Sequence, residues 1–139
     1  MIEKELLPME NMSCSQGGFQ KAPQRDIDIV WTDLVVRCSN KTLHAIYDRV
    51  PSEKANRILK LHDNDAIMDW IANLKELPIS CKLDELRFPI MGGPVGAIVY
   101  AYKVPVFGRK YYIALFERLK NMQIQMVLKS IKLDGETDA

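Results

Sequence analysis

The spacing of apolar residues changes at Pro78, and this change constrains the fold more than any other feature of the chain. Before Pro78, apolar residues recur every three or four positions, which predicts a helix that Asp63 caps and Pro78 ends. The apolar stripe of this helix consists of Ile67, Trp70, Ile71, Leu74 and Leu77. We expect Trp70 to anchor it in the core. After Pro78 the spacing falls to two, which is typical of strands.

The second half of the chain carries four segments with strand-like patterns, at residues 86–90, 95–104, 111–116 and 122–133. The second of them is apolar on both faces, which indicates a strand inside a sheet. The third also satisfies helical spacing. Its Tyr-Tyr-Ile content and the short turn at 105–108 before it favour a strand.

The first half is predicted to contain a strand and two further helices. Apolar residues alternate from Ile27 onwards, which predicts a strand over residues 27–36 with a possible bulge at Asp33. Helical spacing over residues 43–50 then predicts a helix that ends at Pro51. Ser52 can cap a second helix, with helical spacing over residues 55–62.

These elements predict an α+β domain, with two or three short helices packed on one face of a mainly antiparallel sheet of about four to five strands. The length of 139 residues suits one domain. Residues 1–25 are rich in Pro, Gly and polar side chains and are predicted to form a flexible N-terminal segment. The single domain is expected over residues 26–134, and residues 135–139 form an acidic tail.

The chain has no apolar run long enough to span a bilayer, and its first ten residues carry three glutamates where a secretory signal has a basic head. We therefore predict a cytoplasmic protein with no membrane partner. The three cysteines, Cys14, Cys38 and Cys81, are odd in number and widely spaced, so free thiols are expected.

No motif in the sequence specifies a reaction. His44 and His62 lack metal-ligand spacing to each other or to any cysteine, so we expect no metal site and no cofactor. The segment 91–96 is rich in glycine, but it lacks the Lys-Ser/Thr pair of a phosphate-binding loop and is predicted to be a turn between strands.

Charge is distributed unevenly, and this is the strongest functional signal. Residues 103–132 carry seven basic side chains against Glu117 alone, a net charge of +6 in a chain whose total is +1. Cations attract phosphates and carboxylates, and tyrosine rings offer stacking surfaces to unpaired bases. The predicted binding residues are Arg109, Lys110, Tyr111, Tyr112, Arg118, Lys120 and Lys129. The alternative is a solvated sheet edge whose lysines prevent aggregation.

The first functional prediction is a noncatalytic binding module, such as an inhibitor, immunity or antitoxin-like accessory protein. Its partner would be a protein or an RNA with negative surface charge. A homodimer formed through a sheet edge is also possible in this interpretation.

The second prediction rests on a resemblance. Helices followed by a short antiparallel sheet, with basic and tyrosine side chains near its end, resemble the bacterial RelE/ParE toxin family, whose RNA-cleaving members use such residues. The resemblance implies an endoribonuclease in which Arg109, Lys110, Tyr111 and Arg118 position phosphate and assist proton transfer, with Tyr112 in reserve. The chain departs from that family in its near-neutral pI of 7.7 and its additional N-terminal segment.

Overall fold

The computed structural model describes residues 18–136, so Cys14 and most of the predicted flexible segment lie outside the described residues. Three helices and six strands occur in this part of the chain. In chain order they are β1 Gln20–Lys21, α1 Ile27–Asn40, β2 Ala45–Ile46, α2 Glu53–Leu59, α3 Asn64–Ala72, β3 Ser80–Glu85, β4 Ile98–Val106, β5 Arg109–Lys120 and β6 Gln123–Leu133. No helix within residues 18–136 is long and apolar enough to cross a membrane.

The strands form one sheet in the order β2-β6-β5-β4-β3, and β1 pairs with β5 beside the start of β4. Every pairing is antiparallel except that of β2 with β6. The predicted α+β class with a mainly antiparallel sheet is therefore confirmed. β5 is the central strand, because it pairs with β4, β6 and β1.

The helices cover one face of the sheet and bury the main core there. Trp31 of α1 packs on Tyr102 of β4, with ring centroids 5.0 Å apart, and the Tyr102 hydroxyl donates to the carbonyl of Ile27. Trp70 of α3 packs edge-on against Tyr111 of β5 at 5.7 Å. We call this side the helix face. Each large aromatic ring removed from water there contributes roughly 1.5–3 kcal/mol to folding.

The other face of the sheet carries a second, smaller core. Val99, Phe116 and Val127 lie opposite one another on β4, β5 and β6. The loop of residues 86–97 folds over them and buries Leu86 and Ile90. This loop covers only the half of the face that lies towards the start of β4.

Residues 27–36 form a helix, so the strand predicted there is wrong. Asp26 caps α1 by accepting hydrogen bonds from the backbone N–H groups of Asp28 and Ile29. The buried residues of α1 follow helical spacing and are Val30, Trp31, Leu34 and Cys38. This stripe holds the helix against the sheet and outweighs the strand preference of its β-branched residues.

The helix predicted over residues 43–50 is also wrong. Ala45 and Ile46 pair with β6, and the N–H of Tyr47 donates to the carbonyl of Leu128. The partner strand lies far along the sequence, so local spacing carries no trace of it.

The two remaining helices and the strand over 111–116 are confirmed. Ser52 caps α2 by accepting from the N–H of Ala55, and Asp63 caps α3 by accepting from the N–H of Ala66. α3 ends at Ala72, before the predicted stop at Pro78. The strand expected over 86–90 is displaced: β3 ends at Glu85.

Residues 20–25 belong to the predicted N-terminal segment and are joined to the sheet. β1 pairs with β5, and Ala22 is buried. The Arg25 guanidinium donates to both carboxylate oxygens of Glu117, which is buried on the helix face, and to Asp33 at 2.9 Å. Hydrogen bonding to Glu117 is the main reason that the pKa of Arg25 is raised.

Candidate anion-binding site

A row of polar side chains crosses the sheet on the side opposite the helices. Ser80, Lys103, Tyr112 and Lys132 lie directly opposite one another on β3, β4, β5 and β6. Directly opposite residues of a sheet point to the same face, and neighbours along a strand point to opposite faces. Tyr111 is buried on the helix face, so Tyr112 and the whole row point to the other side.

Three more lysines flank this row. Lys110 precedes Tyr112 by two positions on β5, and Lys82 follows Ser80 by two on β3, so both share its face. Lys129 is the extra residue of a bulge in β6, where the register shifts between Ala114 and Leu115, and we group it with the row because its charge acts on Lys132. We define the lysine face as Lys82, Lys103, Lys110, Tyr112, Lys129 and Lys132.

Lys103 and Tyr112 form the centre of the lysine face. The Lys103 ammonium lies 5.3 Å from the centroid of the Tyr112 ring and 3.8 Å from Asp134 Oδ2. Hydrogen bonding to Tyr112, followed by the charge of Asp134, raises the pKa of Lys103. Lys103 is therefore fully charged at neutral pH and oriented beside a half-exposed ring.

Lys132 lies in a less favourable environment for its charge. Partial burial lowers the pKa of Lys132, the positive charge of Lys129 lowers it further, and Glu136 acts in the opposite direction. An anion placed beside Lys129 and Lys132 would relieve their mutual repulsion.

Arg118 and Lys120 lie at the other end of β5, away from the lysine face. The Arg118 guanidinium stacks 4.0 Å from the centroid of the Phe19 ring and also donates to Gln125 at 2.9 Å and to the carbonyl of Met91. The Lys120 ammonium lies 5.1 Å from the same ring. Arg118 is about 27 Å along the strand from Lys110. Arg118 thus links the loop of residues 86–97 and the N-terminal segment to β5.

The structure thus divides the seven predicted binding residues among three places. Lys110, Tyr112 and Lys129 lie together on the lysine face. Arg118 and Lys120 surround Phe19. Arg109 and Tyr111 point to the helix face, where Tyr111 is only 1% exposed and offers no stacking surface.

The sequence reasoning counted Lys103 and Lys132 in the basic segment without placing them in the site, and it missed Lys82. The spacing of two between Lys110 and Tyr112 was a usable signal that these two side chains share a face of one strand, whereas Lys132 joins them only through the pairing of β5 with β6. Lys82 joins them only through the pairing of β3 with β4, which the sequence prediction placed elsewhere.

His44 and the two cysteines of the described residues lie outside the lysine face. His44 Nδ1 accepts from the N–H of Met126 at 3.1 Å, and partial burial, with the charges of Arg37 and Arg118, lowers the pKa of this imidazole. Cys38 is a free, fully buried thiol, and burial raises its pKa to about 12. Burial also raises the pKa of the free Cys81 thiol.

Within residues 18–136, no group of three or more His, Cys, Asp or Glu side chains is placed to hold a metal ion. The glycine-rich segment forms a tight turn over the second core: the N–H of Gly93 donates to the carbonyl of Ile90 at 2.7 Å, and Gly93 is buried against Phe116.

Comparisons of the chain with protein-family models, with curated proteins and with solved structures find no match.

Proposed function

We propose that this chain is a noncatalytic binding module that engages an anionic macromolecular partner through the lysine face. The observation that carries this proposal is the grouping of five lysines around a half-exposed tyrosine, on the half of the sheet that neither the helices nor the loop 86–97 covers. Three carboxylates act on these lysines in the described interactions: Asp134 on Lys103, Glu136 on Lys132 and Asp84 on Lys82.

The geometry suits an extended partner. Four neighbouring strands spaced about 4.8 Å apart carry the lysines, so phosphates or carboxylates along a chain can meet several cations at once. Tyr112 offers a ring between Lys103 and Lys132 on which an unpaired base can stack. An inhibitor, immunity or antitoxin-like role is the biological setting that we propose, because it requires binding alone.

The test is a titration of the protein with fluorescent oligouridine and, separately, with labelled polyglutamate. The double variant Lys110→Glu/Lys129→Glu removes two cations from the lysine face, and Lys54→Glu/Lys75→Glu makes the same charge change at exposed positions elsewhere. We expect the first variant to weaken binding at least ~10-fold and to reduce the salt slope for RNA by about 1.4, since each phosphate contact contributes about 0.7 on single strands.

Equal loss in both variants would show that binding follows net charge and not this face, and would overturn the proposal. Binding of polyglutamate but not of RNA, or the reverse, would identify the class of partner. The RNA samples are also analysed for products. Cleavage that disappears in Arg109→Ala would contradict the noncatalytic part of the proposal and support the RelE/ParE-like alternative.

A further inference from the structure

β3 forms an edge of the sheet, since in the described part of the chain it pairs with β4 alone. Leu86 and Ala97 continue the pairing of β3 with β4 by one residue, and the N–H of Leu86 donates to the carbonyl of Ala97. Hydrogen-bonding residues alternate along a strand, so the even-numbered residues of β3 bond to β4. Cys81 and Leu83 therefore direct their backbone N–H and C=O groups outwards, as Glu85 directs its C=O, whereas the N–H of Glu85 donates to Asp84 Oδ1 at 2.8 Å.

Apolar side chains accompany this edge. Leu77 is 76% exposed, Ile79 57%, Leu83 39% and Phe88 65%. Leu83 points to the helix side of the edge, because its partner Tyr100 lies in the main core, and Leu77 and Ile79 lie just before the strand. Lys82 and Asp84 are exposed on the other side, that of the lysine face. An edge with outward backbone groups and an apolar border can template a further strand.

We propose that this strand is β3 of a second copy of the chain, antiparallel to the first, in the register that places Leu83 opposite Leu83. In that register Lys82 of each copy lies opposite Asp84 of the other, in the closely spaced type of pair. Shifting the register by two residues places Lys82 opposite Lys82 in one direction and Asp84 opposite Asp84 in the other. Asp84 also lies 3.6 Å from the Arg87 guanidinium of its own chain, which offsets part of its charge. The like-charge pairs still disfavour the two shifted registers relative to the one that pairs Lys82 with Asp84.

The pairing has a consequence for the sheet. The two-fold axis of two antiparallel edges in one continuous sheet is perpendicular to that sheet, so the same face of each copy points to the same side. The two lysine faces would lie next to each other. Lys82 of each copy would be paired with Asp84 of the other copy where the two sheets join. Because β3 has only six residues, we expect weak, concentration-dependent association, below the roughly 1,200 Å² scale of stable interfaces.

The first test reverses the charges one at a time and together. Sedimentation velocity of the full chain, at concentrations up to about 1 mM, compares wild type with Lys82→Asp, Asp84→Lys and the double variant. We expect each single variant to dimerise at least ~10-fold more weakly, because like charges then face each other twice. The double variant should return to within about threefold of wild type, since it restores opposite charges.

Lys54→Asp serves as the control, because it alters net charge on α2 and leaves β3 intact. A wild-type chain that stays monomeric at the highest concentration would overturn the proposal. So would single variants that dimerise like wild type, or a double variant that does not recover.

The second test traps the register directly, with Cys14 and Cys81 replaced by serine. Leu83→Cys brings two sulfurs to positions whose Cα atoms are expected about 5.5 Å apart, within disulfide range. Ile79→Cys is the matched control, because this register sets Ile79 opposite Arg87 and far from its own symmetry mate. We expect oxidation to give a covalent dimer from Leu83→Cys only. A dimer from Ile79→Cys, or none from Leu83→Cys, would refute this register.

Discussion

The two halves of the sheet face opposite the helices are built from the same strands and differ in almost every other respect. One half carries Val99, Phe116 and Val127 and is covered by the loop of residues 86–97. The other half carries the lysine face, and no loop within residues 18–136 covers it in this way. The basic residues differ in the same way. Arg118, at the covered end, stacks on Phe19 and donates to two oxygen acceptors, whereas Lys110, at the other end, is exposed.

The net charge of a sequence segment therefore does not by itself define a binding surface. Residues 103–132 carry basic side chains at both ends, but the loop and the N-terminal segment hold the cations near Arg118 in structural contacts. Only the cations that the covering elements leave exposed are available for a partner.

The largest expected effect compares two aromatic residues on the same face of β5. Phe116→Ala removes a fully buried ring from the second core and should lower the free energy of unfolding by about 3–5 kcal/mol. Tyr112→Ala removes a half-exposed ring from the lysine face and should cost no more than about 1.5 kcal/mol. Urea unfolding measures both. Similar losses would mean that the two halves do not differ in packing.

A second comparison uses two glycines. A Cβ atom at Gly93 would collide with the Phe116 ring and lie 2.9 Å from Leu86 Cδ1, so Gly93→Ala should cost about 1–3 kcal/mol by overpacking. Gly108, in the turn beside the lysine face, has no atom within 4 Å of an added Cβ. Its φ of +80° alone should make Gly108→Ala cost about 1 kcal/mol. Thermal unfolding measures both variants, and Gly93→Ala should be the less stable of the two. A larger loss in Gly108→Ala would contradict the difference in packing between the two halves.

A third prediction concerns the cations that the covered half takes up. Phe19→Ala removes the ring on which Arg118 and Lys120 lie and should destabilise the fold by about 1 kcal/mol. Phe19→Tyr keeps an aromatic ring and is the control, with little loss expected in the same urea titration. A tyrosine variant as unstable as the alanine variant would argue against ring–cation stacking.

The smallest effect is a dependence on pH through His44. Its pKa in the folded chain lies below the ordinary 6.5, mainly because of burial and then of the charges of Arg37 and Arg118, so the unfolded chain binds the proton more readily. Stability should therefore fall as pH decreases through and below 6.5. Because the His44 side chain is largely exposed, solvent screening keeps this contribution small.

His44→Asn keeps an acceptor for the N–H of Met126 and cannot be protonated in this range. Unfolding free energies measured from about pH 7.5 to about pH 5 should be less steep for this variant than for wild type. An unchanged slope would remove His44 from the explanation.

The elements that could be predicted are those whose caps and apolar pattern lie within the element itself. The caps of α2 and α3 and the strand over 111–116 followed from Ser52, Asp63 and the Tyr-Tyr-Ile content. The isoleucines and valines of α1 also alternate and so predict a strand, whereas the cap residue Asp26 and the helical spacing of the buried stripe indicate the helix that forms. β2 depends on a partner 82 residues away and could not be predicted locally.

The candidate site could be predicted only in part. Charge counting found the basic segment but could not assign each side chain to a face, since the bulge at Lys129 and the loop over Phe116 depend on tertiary pairing. The predicted site therefore groups Lys110 and Tyr112 with Tyr111, which packs against Trp70, and with Arg118, which stacks on Phe19.

The most direct test of the account is an NMR titration of the isotope-labelled chain with oligouridine or polyglutamate, whichever binds, followed by amide chemical shifts. We predict shifts at Lys103, Lys110, Tyr112 and Lys132, and none at the Arg118 end of β5. Shifts centred on Arg118 and Phe19, or spread over the helices, would show that the uncovered half of the sheet is not the binding surface.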